Sequence, residues 1–195
     1  MYKDPAPWDR INSFALVSYI PEPLAGFLDR LRQELVPNCF LRAHVTLLPP
    51  RTVTAPDRAW NEIKQLIPHY SPFDVHMTDV EVFPVSDVIY INIGTGREEL
   101  RRVHNALAIG ALHFREQFEY HPHVTLAQDL KSDELDELVN VARARWAEFK
   151  GSKCFRVERV VFVQNTRCND WIDLGECILG RAGSEVHAAL TDLLA

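Results

Sequence analysis

Residues 43–48 read AHVTLL and residues 123–128 read HVTLAQ, so the tetrapeptide HVTL occurs twice in this chain. Each copy lies in a short apolar run of the kind that predicts a strand. The elements predicted around the two copies follow one order, which is strand, helix, HVTL strand, helix, strand. The first repeat covers about 13–85 and the second about 88–180. This duplication is the feature that decides the predicted fold.

The pattern of apolar residues predicts the individual elements. Alternation with a period of two predicts strands, and apolar residues at i, i+3 and i+4 predict helices. The predicted strands cover 13–20, 43–48, 73–83, 88–93, 123–128, 155–164 and 171–179, with Pro49 and Pro50 ending the second of them. The predicted helices cover 23–36, 97–112 and 183–194, with two more around the apolar stripes of 59–67 and 135–149.

The short gap between the predicted strands 73–83 and 88–93 suits a hairpin and argues against an all-parallel sheet. We therefore predict an α+β fold. Its two pseudo-symmetric β-α-β-α-β halves, rich in antiparallel pairs, form two lobes around a central cleft. A doubly wound parallel fold is the alternative, because strands alternate with helices. Against it, Gly94-Thr95-Gly96 lacks the third glycine of a dinucleotide-binding loop.

Length and charge narrow the classes of function. The chain has 195 residues, which suits a single domain over 1–195. It has 21 Lys plus Arg against 27 Asp plus Glu, a formal net charge of −6. An extended nucleic-acid surface needs excess positive charge, so any nucleic-acid chemistry here must use a local pocket. No run approaches the roughly 20 apolar residues of a membrane span, and no signal peptide is recognisable. Four cysteines without a CxxC spacing fit free thiols in the cytoplasm.

The two HVTL segments carry the chemistry. Alternate side chains of a strand share a face, so His44 and Thr46 point to one side, and His123 and Thr125 do the same in the second copy. If the halves are related by a pseudo-two-fold axis, the four polar side chains meet in one cleft. Two imidazoles can divide general-acid and general-base work, and two hydroxyls can donate to phosphate oxygens. This arrangement predicts in-line displacement at phosphorus without a metal ion.

Together these segments resemble the paired HxTx motifs of the 2H (two-histidine) phosphoesterase superfamily, which includes 2′,5′ RNA ligase-like proteins and cyclic nucleotide phosphodiesterases. The resemblance covers about 13–179. It implies a bilobal α+β domain that hydrolyses 2′,3′-cyclic phosphates or related cyclic phosphodiesters without a metal or another cofactor. It also implies that His44 and His123 are the catalytic acid–base pair and that Thr46 and Thr125 bind the phosphate. The pseudo-symmetry leaves open which histidine is the base.

Five flanking residues are further candidates for substrate binding. Arg42 and His121 have the strand parity of the motif histidines, so both are expected to face the cleft. Tyr90 and Trp171 lie on predicted strands that flank the cleft, where an aromatic ring can stack on a base. Core packing is the alternative role for these two rings. Arg167 is a further candidate for a phosphate contact.

Other functions stay open beside hydrolysis of a cyclic phosphate. The same cleft can hold a nucleotide without turnover, or join RNA ends by 2′–5′ ligation, which is the same displacement in reverse. His121 and His123 also have a metal-ligand spacing, but no third ligand follows at a recognisable distance, so we predict no metal site. The expected partner is a small nucleotide or an RNA terminal phosphate, with no membrane contact, and we expect a monomer.

Overall fold

The structure is a computed structural model that describes residues 9–37, 39–131 and 133–181. The predicted helix over 183–194 lies outside these residues. In chain order the elements are β1 (Arg10–Tyr19), α1 (Leu24–Leu35), β2 (His44–Arg51), α2 (Pro56–Leu66), β3 (Phe73–Val82), β4 (Ile89–Ile93), α3 (Arg97–Leu107), β5 (His123–Ala127), α4 (Leu135–Glu148), β6 (Cys154–Val157), β7 (Arg159–Thr166) and β8 (Trp171–Ile178).

Within the described chain, eight strands form two four-stranded sheets, in the orders β2-β1-β7-β8 and β5-β4-β3-β6. Neighbouring strands in both sheets are antiparallel. The predicted α+β class with antiparallel-rich sheets is therefore confirmed, and the doubly wound parallel alternative is wrong. Each of the two motif strands, β2 and β5, lies at an edge of its sheet.

The two sheets interlock through an exchange of strands. β3 follows the first motif in the chain but pairs with β4, in the sheet of the second motif. β7 follows the second motif but pairs with β1, in the sheet of the first motif. Each sheet thus combines strands from both predicted repeats. The sheet of the first motif contains β7 and β8 from the second repeat, and the sheet of the second motif contains β3 from the first repeat.

The prediction of one strand over 155–164 is wrong. This segment divides at Glu158 into β6, which pairs with β3, and β7, which pairs with β1 and β8. Val157 and Val160 are buried, but Glu158 and Arg159 between them are both exposed. A regular strand alternates its faces, and two consecutive exposed residues break that alternation. The chain therefore passes here from one sheet to the other.

The ends of β2 and of the third helix also differ from the prediction. β2 continues through Pro49 and Pro50 instead of ending before them. Proline lacks an N–H, and an edge strand tolerates it because one of its sides needs no ladder hydrogen bonds. The helix predicted over 97–112 ends at Leu107, and a 3-10 turn at Gly110–Leu112 follows it.

One continuous hydrophobic core joins both sheets and the helices α1 to α4. The motif strands contribute Val45, Leu47, Val124 and Leu126, each with at most 1% of its surface exposed. Burying a side chain of this size contributes about 1.5–3 kcal/mol. α1 packs against β5 and α3 packs against β2, so each motif strand has a helix beside it. The apolar face therefore anchors each motif strand, and the polar face is left for the cleft.

Candidate active site

The two motif strands contact each other where the two sheets meet. A cleft with a cavity volume of about 1170 Å³ opens there and is lined by residues from both sheets. His44, Thr46, His123 and Thr125 all lie on its wall, and all four are half-buried. The structure thus brings together the four side chains that the sequence analysis singles out.

The two halves of the site are built in the same way. In the first sheet, His44 on β2 lies opposite Tyr19 on β1. In the second sheet, His123 on β5 lies opposite Asn92 on β4. β1 and β4 are the first strands of the two predicted repeats, so the pseudo-symmetry of the sequence extends to the strand that supports each histidine.

Hydrogen bonds fix the same tautomer in both histidines. The Nδ1 atom of His44 lies 2.7 Å from the main-chain carbonyl of Arg42, and that of His123 lies 2.6 Å from the carbonyl of His121. A carbonyl oxygen can only accept, so Nδ1 carries the proton and donates it in each case. In the neutral ring Nε2 is then the free acceptor. Each motif therefore presents one Nε2 atom for proton transfer.

Burial lowers the pKa of both motif histidines. Desolvation lowers the pKa of His44 to about 4, and the charges of Arg32, His123 and Arg42 act in the same direction. Desolvation also lowers the pKa of His123, and the charge of His121 adds to this effect. Both rings are therefore neutral near pH 7 in the free protein. A phosphate anion between them raises both pKa values, because it favours the charged form.

A compact polar cluster lies beside His44. The Arg42 guanidinium contacts both carboxylate oxygens of Asp173 through Nη2, at 2.7 Å each. The same guanidinium stacks 3.6 Å from the centre of the Tyr19 ring. The Tyr19 hydroxyl donates to Asp173 Oδ1 at 2.6 Å. Arg42 therefore reaches the cleft with its charge already opposed by a carboxylate from β8.

A different cluster lies beside His123. His121 Nε2 donates to the side-chain oxygen of Asn92 at 3.2 Å. Glu81 accepts hydrogen bonds from the Asn92 amide at 2.7 Å and from the Tyr90 hydroxyl at 2.9 Å. The Tyr90 ring, 4% exposed, packs beneath the site next to His123. The strand next to each motif thus contributes to the cluster beside it, and the cluster beside His44 places Arg42 on the cleft wall.

A further set of contacts supports the backbone of the first motif strand. The Tyr120 hydroxyl donates to the main-chain carbonyl of Thr46 at 2.6 Å. His104 on α3 is buried and its Nδ1 donates to the carbonyl of Leu47 at 2.8 Å. The rings of His104 and Tyr120 stack with centroids 3.9 Å apart. These contacts hold the backbone that carries the Thr46 hydroxyl.

The five flanking candidates divide into two groups. Arg42, His121 and Trp171 line the cleft. Tyr90 and Arg167 do not lie on its wall. Tyr90 is covered by the stacked ring of Phe83, with centroids 4.0 Å apart, and Arg167 is exposed in the turn between β7 and β8. Tyr90 thus packs against Phe83 beside the cleft, and Arg167 lies outside the cleft lining.

Sequence reasoning missed several residues of the cleft. Tyr19 and Asp173 are two of them. Four exposed apolar side chains also line the cleft, namely Phe40, Val85, Phe114 and Phe118. They lie in segments between regular elements, where no periodic pattern distinguishes a residue of the site from any other. The sequence did contain one signal for them, because an aromatic residue precedes each motif strand by a few positions: Phe40 before β2 and Phe118 before β5.

Among the described residues, no group of three or more His, Cys, Asp or Glu side chains is arranged to hold a metal ion. Within 9–37, 39–131 and 133–181, no helix combines the length and apolar character that a bilayer crossing requires.

Known proteins resemble this chain in sequence. The model of the 2′-5′ RNA ligase superfamily matches residues 20–168. A predicted phosphoesterase from Bacillus licheniformis is 26% identical over 136 residues, which cover 68% of this chain and 80% of that protein. Another from Bacillus pumilus is 23% identical over 174 residues, which cover 87% of this chain and 99% of that protein.

Solved structures resemble it in fold. E. coli LigT in its apo form has a TM-score of 0.62 at 14% identity, with 86% of this chain and 97% of LigT covered. The LigT complex with 3′-AMP has a TM-score of 0.63 at 14% identity, with 86% and 98% covered. Further LigT structures contain phosphate, ATP or NADP+.

The match to the family model, together with these relatives, places the chain in the class of the 2H phosphoesterases and confirms the resemblance inferred from the sequence. The chain belongs to the 2′-5′ RNA ligase superfamily, because the model of that family matches well over half of its length. Its relatives and its LigT-like fold place it among phosphoesterase- and ligase-type enzymes.

Proposed function

We propose that this protein hydrolyses a 2′,3′-cyclic phosphate or a related cyclic phosphodiester on a nucleotide or an RNA end, by acid–base catalysis with two histidines and without a metal ion. The observation that carries the proposal is the pairing of His44 and His123 on one cleft with the same tautomer. Each ring has its Nδ1–H engaged by a carbonyl and its Nε2 available.

The proposed reaction is one displacement at phosphorus. The neutral histidine takes a proton on Nε2 from a water molecule, whose oxygen attacks the phosphorus atom. The bond from phosphorus to one ring oxygen of the cyclic ester breaks, and the protonated histidine gives its Nε2 proton to that oxygen. The products are a phosphomonoester and a free hydroxyl on the same sugar. The histidine that was neutral is now protonated, and the histidine that was protonated is now neutral. Each such transfer contributes about 10²–10⁴ in rate.

Thr46 and Thr125 have the geometry to serve as phosphate donors. Each lies two residues after its histidine, on the same strand face and on the cleft wall. A hydroxyl can donate to a non-bridging oxygen as charge builds there in the transition state. The hydrogen bond from Tyr120 to the Thr46 carbonyl supports the backbone that carries the Thr46 hydroxyl.

A nucleotide suits the remainder of the cleft. Exposed apolar side chains are costly in water, and Phe40 and Phe118 are 70% and 58% exposed on its rim. Aromatic rings of this kind stack on nucleobases. The LigT structures with 3′-AMP, ATP and NADP+ support a nucleotide as well, since LigT shares this fold. We therefore infer that a base stacks at the rim while the phosphate lies between the motifs.

The test is hydrolysis of the four nucleoside 2′,3′-cyclic monophosphates and of a short RNA with a cyclic phosphate end, with EDTA present. Wild-type protein should turn over at least one of them. His44→Ala and His123→Ala should each lower kcat/KM by about 10²–10⁴. Thr46→Val and Thr125→Val, which remove one hydroxyl each, should lower it by about 10².

His69→Ala is the matched control, because His69 is exposed and lies outside the cleft lining. Its kcat/KM should equal that of the wild type. Tight nucleotide binding without turnover would contradict the proposal and indicate a binding module. Loss of activity in EDTA would indicate a metal-dependent enzyme, and net joining of RNA ends would indicate a ligase.

A further inference from the structure

The charges on the cleft wall are few, and Arg42, Asp173 and Glu116 lie in ion pairs. Among the described residues, the charged side chains that line it are Arg32, Arg42, Glu116, Glu119, Asp170 and Asp173. Glu116 also accepts from Arg51 at 2.6 Å, from behind the wall. With Arg51 included, three arginines face four carboxylates. A site built to hold several phosphates would show the reverse balance.

Both arginines of the wall are already engaged. Arg32 is buried, and its Nη1 donates to the carbonyls of Leu41 at 2.9 Å and Arg42 at 3.3 Å. Arg42 contacts both carboxylate oxygens of Asp173. Asp173 also accepts from the Tyr19 hydroxyl, so three side chains from β1, β8 and the segment before β2 form one unit. The charge of Arg42 is therefore shared with Asp173 before any phosphate arrives.

We propose that Asp173, by opposing the charge of Arg42, makes this cleft select a phosphodiester with one negative charge over a phosphomonoester with two. The inference rests on the proposed function, in which the substrate is a cyclic diester and the product is a monoester. The diester carries one negative charge throughout the neutral range, whereas a monoester loses its second proton near pH 6. Above that pH the site therefore disfavours its own product and releases it.

The size of the effect follows from Coulomb's law. The interaction energy of a ligand with Arg42 is proportional to the charge of the ligand, and it is twice as large for a dianion as for a monoanion. Affinity depends exponentially on this energy, so the factor by which a dianion's affinity changes is the square of the factor for a monoanion. Asp173 is 41% exposed, which screens the pair and keeps each factor small. Removing the Asp173 charge should raise the affinity for a monoanion about threefold and the affinity for a dianion about ninefold. The ratio of the two affinities then shifts about threefold in favour of the dianion.

The test is a binding measurement at pH 8 with adenosine 3′-monophosphate as the dianion and its methyl ester as the monoanion. Asp173→Asn keeps the shape of the side chain and an acceptor for Tyr19 but removes the charge. Glu176→Gln is the matched control, because Glu176 is on the same strand, pairs with Arg159 and lies outside the cleft lining. Thermal unfolding of each variant checks that it is folded.

Wild-type protein should bind the methyl ester more tightly than the monophosphate. Asp173→Asn should tighten the monophosphate about threefold more than the ester, and Glu176→Gln should change neither. Equal shifts for both ligands, no shift, or no binding of either ligand to the wild type would overturn the inference. If Asp173→Asn is unfolded, Arg42→Met must weaken the monophosphate more than the ester. The binding measurement does not depend on turnover. If the predicted affinity changes are found but no cyclic phosphate is hydrolysed, the proposed reaction is wrong and the inference about Asp173 stands.

Discussion

Arg51 should be one of the most costly residues to replace, although it lies behind the cleft. Its side chain is 1% exposed. Its Nε donates to the Pro49 carbonyl at 3.0 Å, and its Nη1 donates to the Leu112 carbonyl at 2.9 Å. Its Nη2 contacts Glu116 Oε1 at 2.6 Å. These bonds tie the end of β2 to the segment between α3 and β5.

Arg51→Met keeps most of the apolar stem and removes all three hydrogen bonds. Breaking a buried ion pair by removing one partner costs about 3–5 kcal/mol. Glu116 keeps 18% of its side chain exposed, so it is partly rehydrated and the lower end applies, about 3 kcal/mol. The loss should be smaller at pH 5.5 than at pH 7.5. Desolvation is the main cause that lowers the pKa of His104, and the charge of Arg51 lowers it further. Removing Arg51 therefore raises this pKa and favours, at the lower pH, a protonated His104 that faces Glu116 at 3.6 Å.

Urea denaturation of wild type and Arg51→Met at pH 5.5 and pH 7.5 measures the loss in the free energy of unfolding at each pH. Glu116→Gln removes the carboxylate charge, so the double variant has no uncompensated buried charge. It should lose less stability than Arg51→Met alone, about 1–2 kcal/mol. A loss below 1 kcal/mol for Arg51→Met at pH 7.5, or a larger loss at pH 5.5, would refute this account of the pair.

Three other changes have defined outcomes. The reactive form needs one protonated and one neutral imidazole, and burial lowers the pKa of both His44 and His123 below 6.5. The plot of kcat/KM against pH should therefore have its maximum below pH 6.5, and a maximum between pH 7 and 8 would contradict this. Gly96→Ala should cost about 1–3 kcal/mol in urea denaturation, because φ is +87° and the new Cβ lies 2.6 Å from the Asp74 carbonyl oxygen. Gly26→Ala should change stability little, because the groups near its new Cβ are the ends of the flexible Glu22 and Arg30 side chains. A loss as large as that of Gly96→Ala would show the backbone argument to be wrong. Leu47→Ala should cost about 2–5 kcal/mol by the same measurement, since Leu47 is fully buried, and a cost below 1 kcal/mol would argue against its place in the core.

Local patterns were enough to predict most of the elements and the two faces of the motif strands. A strand alternates its side chains, so the word HVTL places histidine and threonine on one face whatever the rest of the fold does. The structure buries Val45 and Val124 on the opposite face, as this argument requires. The repetition of the word then made a shared cleft a reasonable expectation.

Pairings between distant parts of the chain were not predictable in this way. β3 and β7 exchange sheets, and nothing in their local pattern of burial distinguishes one antiparallel neighbour from another. Arg42 and Asp173 are 131 positions apart, so their contact depends on the order of strands in the first sheet. The surroundings of Tyr90 likewise depend on distant residues, because it pairs with Glu81 on β3 and stacks on Phe83.

The most direct test of the central claim, that two histidines act as one acid–base unit across a single phosphorus atom, is a double-mutant cycle. kcat/KM for a 2′,3′-cyclic nucleotide would be measured in EDTA for wild type, His44→Ala, His123→Ala and the double variant. We predict that each single change lowers kcat/KM by about 10²–10⁴ and that the double variant is no worse than the more damaged single variant. Losses that multiply in the double variant, or a single variant with wild-type activity, would contradict the claim.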